Sequence, residues 1–194
     1  HAISVVADRR QPRIFVRTVS TTSDLRVWVI DARDPTPRLL FSTRQLILGI
    51  AHAAATDELF VNLVDSFPLR HSTDVIDATT GALRRRLERS DWLQDLQVSD
   101  DGRWLWGITG PFGLGHIDVV DGRTGVRLVH GPTVRSSYAL DTSRGLVLAA
   151  DGDDEFLVAY DALTLVERWR SRLDLPLTMR GHSVEHRLLP GRWM

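Results

Sequence analysis

Three stretches of the chain carry residues that can do chemistry. His182-Ser183-Val184-Glu185-His186 spells His-x-x-Glu-His, which holds zinc when a helix places positions four apart on one face. A strand or loop is expected here instead, and four residues of extended chain span roughly 13 Å, so no shared metal is expected. Asp151-Gly152-Asp153-Asp154-Glu155 gathers hard oxygen donors in one loop. Asp151, Asp153 and Glu155 are its weak Ca2+ candidates, although the spacing is not that of an EF-hand and a solvated acidic turn accounts for it. Arg84-Arg85-Arg86 would suit phosphate in isolation, but it falls on an expected outermost strand, where arginines guard an exposed edge. Gly113-Leu114-Gly115 lacks the third glycine and following helix of a dinucleotide loop.

Composition narrows the chemistry further. The 194 residues contain no cysteine and no lysine, which excludes disulfides, thiolate metal sites, cysteine nucleophiles and Schiff-base lysines within the chain. A formal net charge of -1 gives no long-range field for nucleic acid, and no apolar run is long enough for a membrane span. With 43% hydrophobic residues, the chain can bury a sizeable core. No catalytic residue and no cofactor are expected.

The elements that must position these residues are short strands joined by tight turns. Third strands end on Asp31, Asp77, Asp121 and Asp161, spaced by 46, 44 and 40 residues, near the period of a four-stranded propeller blade. In Asp77-Ala78-Thr79-Thr80-Gly81 and Asp121-Gly122-Arg123-Thr124-Gly125, the aspartate can accept turn N–H groups while the glycine takes a positive φ. The turns after Asp31 and Asp161 lack the Thr-Gly pair and read as looser copies. Blades are expected over 1–43, 44–90, 91–132 and 133–172. An incomplete fifth is expected over 173–194, because Gly191-Arg192-Trp193-Met194 repeats Gly102-Arg103-Trp104-Leu105 from 89 residues earlier. The fold expected is therefore all-β: four propeller blades and the start of a fifth, a fragment of a six- to eight-bladed parent.

Val75-Ile76-Asp77-x-x-Thr80-Gly81, Val119-Val120-Asp121-x-x-Thr124-Gly125 and Ser99-Asp100-Asp101-Gly102-Arg103 together resemble the YVTN-type β-propeller repeats. These belong with the quinoprotein amine dehydrogenase β-chain-like propellers and are more distantly similar to WD repeats. The tetrapeptide itself is replaced by Leu59-Phe60-Val61-Asn62 and Trp104-Leu105-Trp106-Gly107, and no Trp-Asp pair ends a third strand. The resemblance is one of repeat grammar and carries no catalytic residue onto this chain. It implies a non-catalytic domain that binds a protein or small molecule at one rim, with a lactonase-like or quinoprotein-dehydrogenase-like enzyme, completed outside this chain, as the alternative. Export from the cytoplasm is slightly favoured.

By that architecture, the loops between second and third strands share a rim with the connections between blades. The rim candidates are Arg44, His71, Asp91, Trp92, Arg135, Arg180 and His182.

Overall fold

A computed structural model of the chain describes residues 2–19, 24–66, 69–89, 91, 93–110, 115–134, 138–150 and 156–172. They form sixteen strands in four sheets. The first blade comprises β1 (Ala2–Ala7), β2 (Arg13–Val19), β3 (Leu25–Asp31) and β4 (Arg38–Thr43). The second has β5 (Leu46–Ala53), β6 (Glu58–Ser66), β7 (Leu69–Asp77) and β8 (Leu83–Arg89). The third has β9 (Gln94–Val98), β10 (Trp104–Thr109), β11 (Gly115–Asp121) and β12 (Arg127–Val134). The fourth has β13 (Tyr138–Asp141), β14 (Leu146–Ala150), β15 (Phe156–Asp161) and β16 (Glu167–Arg172). Each sheet is an antiparallel meander whose order follows the sequence, and no helix occurs among the described residues.

Side-chain alternation explains why the sheets stack. In β3, Leu25, Val27 and Val29 are buried while Arg26, Trp28 and Ile30 are only partly so. Both faces of a middle sheet are apolar, because each packs on a neighbouring sheet. Phe15, Val27 and Val29 of the first blade join Leu59, Val61, Leu63 and Ile76 of the second. Phe60, Val75 and Leu87 of the second meet Leu96, Leu105 and Val120 of the third. Trp106, Ile117 and Val119 of the third meet Val147, Val158 and Tyr160 of the fourth. The core is therefore three layers between blades.

The turns closing the third strands are built as their sequence requires. Asp77 Oδ1 accepts from the Thr79 and Thr80 amides and the Thr80 hydroxyl, and Asp121 does the same with Arg123 and Thr124. Gly81 has φ +78°, and a Cβ there would lie 2.1 Å from the Leu40 carbonyl oxygen, so both backbone and space demand glycine. The fourth blade departs from expectation. Asp161 accepts the same three bonds from Leu163 and Thr164, and Leu165 takes glycine's place at φ +53°. Burial of the Leu165 side chain in the apolar layer offsets the left-handed strain, which costs about 1–2 kcal/mol. This turn is a full copy, and its aspartate is the decisive residue.

All four outermost strands carry a register shift where they pair with the third strand. Such bulges twist an edge away from pairing with another chain.

Candidate functional site

Arg44 is exposed in the β4–β5 connection, next to Gln45, whose side chain reaches Asp65 at 3.0 Å. Strand β7 begins at Leu69, so Arg70 and the rim candidate His71 are ladder residues and not loop. His71 lies buried opposite Val64 and Arg89. Burial holds its pKa below the usual value, against the charge of Asp91 and with that of Arg89. Asp91 in turn accepts from Arg89 Nε at its carbonyl and from Arg127 at its carboxylate. Thus His71, Arg89 and Asp91 share one neighbourhood at the rim between the second and third blades. Trp92, Arg135, Arg180, His182 and the acidic loop residues Asp151, Asp153 and Glu155 lie outside the described residues.

Strand β11 builds a cluster that the sequence reading missed. Asp118 is fully buried and accepts from Thr109 Oγ1 at 2.8 Å, from His130 Nδ1 at 2.7 Å and from Arg127 Nη1 at 3.4 Å. The ring of His116 lies 4.3 Å from that of His130. In the second blade, Asp74 occupies the equivalent place and is held by Arg86 through two bonds of 2.6 and 2.8 Å. A signal existed: Asp74-Val75-Ile76-Asp77 and Asp118-Val119-Val120-Asp121 align, and in both blades the basic partner lies twelve residues further on.

A second cluster sits at the opposite end, where the first two blades meet. The Arg13 guanidinium donates to Asp8 at 2.7 Å, to Asp57, to the Thr79 hydroxyl at 3.1 Å and to the Ala78 carbonyl at 3.5 Å. His52 Nε2 lies 3.3 Å from Asp57, and its buried Nδ1 has no hydrogen-bond partner, 3.8 Å from Asp8. Burial pushes the His52 pKa down, opposed by both carboxylates. Burial would raise Asp8, but the Arg10 amide and Arg13 outweigh it and hold that carboxyl below its usual range. Asp8, His52 and Asp57 have the donor types and closeness of a metal site, yet Arg13 already fills the cation's role. No motif announced this cluster, because its members come from two blades.

The arginine run of β8 is also committed to internal bonds. Arg85 grips Glu58 at 2.5 and 3.1 Å and donates to the Gly122 carbonyl at 3.1 Å, while Arg84 reaches Asp77 at 2.6 Å. The Gly122 bond joins the second blade to the third. These arginines act as cross-links and not as a polyanion patch.

Comparison with known proteins agrees with this geometry. No family's sequence profile matches the chain, and no curated protein matches it by sequence. Similar solved structures include BamB from Moraxella catarrhalis, at 16% identity and a TM-score of 0.54, with 91% of this chain covering 53% of that one. A nidogen/laminin complex gives 13% identity and a TM-score of 0.63, with 89% covering 64%. The quinohemoprotein alcohol dehydrogenase ADHIIG from Pseudomonas putida HK5 gives 17% and 0.53, with 84% covering 33%. These neighbours are β-propeller proteins. The chain has the β-propeller fold. It spans from a third to under two thirds of the length of these three, which include both non-catalytic proteins and an enzyme.

Proposed function

We propose that the chain is a non-catalytic binding segment of a YVTN-like propeller and that its rim docks a protein partner. The observation that carries this reading is the fate of the buried acids. Asp8, Glu58, Asp74 and Asp118 are each bonded to an arginine or histidine, so their charge is spent on holding sheets and blades together. A general acid or base needs a face open to substrate, and these carboxylates have none. Loops positioned by such a scaffold are the usual place for recognition, and a propeller solved as a nidogen/laminin complex favours a protein as the ligand.

The test places photo-cross-linkers at Arg44 and Asp91 on the rim and at Arg33 and Arg123 at the other end. The partner labelled from the rim is identified and purified. Arg44→Glu is expected to weaken its binding by about tenfold, the scale of one interfacial charge, and Arg123→Glu to leave it unchanged. Equal labelling from both ends, or binding indifferent to Arg44, would overturn the proposal.

A further inference from the structure

We propose that His116 and His130 form a surface site for a borderline transition-metal cation, with their two Nε2 atoms as ligands. The hydrogen bonds of the two rings carry the inference. His130 donates from Nδ1 to Asp118 Oδ1 at 2.7 Å, and His116 Nδ1 lies 3.1 Å from the Gly131 carbonyl, its nearer partner, and 3.4 Å from the Thr133 hydroxyl. A carbonyl or a carboxylate accepts and does not donate, so each neutral imidazole carries its proton on Nδ1 and keeps its lone pair on Nε2. Neither Nε2 takes part in a hydrogen bond among the described residues. Metal-binding histidines are oriented in this way, the far nitrogen tied to a carboxylate or backbone carbonyl.

Position supports the assignment. Asp118 pairs with His130 across β11 and β12, and His116 with Thr133, so the rings meet diagonally on one face with centroids 4.3 Å apart. The His130 side chain is 49% exposed while Asp118 beneath it is fully buried. Arg127 Nη1 bridges Asp118 and Asp91 at 3.4 Å from each and is half-exposed, and Arg89 also bears on both carboxylates, so the two guanidiniums balance the two carboxylates and the imidazole lone pairs must supply the affinity. The Asp8, His52 and Asp57 group differs, because there a guanidinium holds the carboxylate oxygens that would be the ligands, whereas here the ligands are ring nitrogens and the guanidinium contacts only the carboxylates behind them. Two imidazoles with water completing the shell suit Cu2+, Ni2+ or Zn2+, with Cu2+ held tightest.

The test uses the whole chain without an affinity tag, titrated calorimetrically with ZnCl2 and then CuCl2. Each of the seven histidines is changed singly to Gln. His116→Gln and His130→Gln are expected to weaken Zn2+ binding at least about tenfold, and the other five changes to leave it alone. Asp118→Asn should weaken it by about 10- to 100-fold, the usual effect of a partner behind the ligand. A second readout is independent of affinity: long-range 1H–15N spectra of the metal-free protein should show the Nδ1–H tautomer at both rings, with Zn2+ shifting only their Nε2 signals. Zn2+ binding indifferent to both substitutions, or an Nε2–H tautomer at either ring, would overturn the site.

Discussion

Where the first blade meets the second, the Ala78 carbonyl lies 3.5 Å from Arg13 Nη1. Where the third meets the fourth, the equivalent carbonyl of Ala162 receives Trp106 Nε1 at 2.6 Å. Between them, Gly122 receives Arg85. The backbone poses the same demand each time, an acceptor facing the preceding blade, and three donors answer it. What differs is the company each donor requires. A buried guanidinium brings a charge that must be compensated, hence Asp8 and Asp57 around Arg13 and Glu58 under Arg85. A neutral indole needs no counter-ion, and the layer around Trp106 is apolar. The clusters around Arg13 and Arg85 are therefore consequences of choosing arginine.

That comparison breaks most visibly at Arg13. Arg13→Ala leaves Asp8 buried without its cation and removes the partner of Asp57, and should cost about 3–5 kcal/mol, read as a lower urea midpoint at unchanged slope. Arg85→Ala is milder, because Glu58 keeps Arg84 and Thr56. A loss of about 2 kcal/mol is expected in the same assay. Trp106→Phe keeps most of the ring and deletes only the bond to Ala162, so about 1–2 kcal/mol is expected. A loss as large as that of Arg13→Ala would show that the donors are not interchangeable solutions.

The smallest effect is one of pH. Because burial lowers the pKa of His52, the unfolded chain takes up its proton first as pH falls. The stability conferred by keeping this ring neutral is complete above the ordinary histidine value of about 6.5 and is lost as pH drops through the lower folded value. Arg13, Asp8 and Asp57 face the ring, and His71 adds a shift of the same sign. Thermal melts of the native protein should fall between pH 7 and 5, and His52→Gln should flatten part of that slope. An unchanged slope would remove His52 from the account.

All sixteen strands were legible in the sequence because alternation and turn chemistry are local. The blunted outer edges were foreshadowed by the arginines of β8. The start of β7 was not, since Leu69 to Ser72 becomes strand through pairing with β6 and β8 and not through its own pattern. Half of the charged cluster on β11 was there to be read in the two Asp-Val-x-Asp segments, but their burial was not.

The sequence by itself determined the repeat: aspartates that cap turns within three residues, glycines where φ turns positive, and apolar residues on both faces of each sheet. Only the tertiary structure decided which charges become cross-links, because residues as far apart as Arg13 and Thr79 meet only once the blades stack. A side chain's role as pin, ligand or surface charge depends on what lies opposite it and how much water remains there. Neighbours along the chain do not fix either quantity.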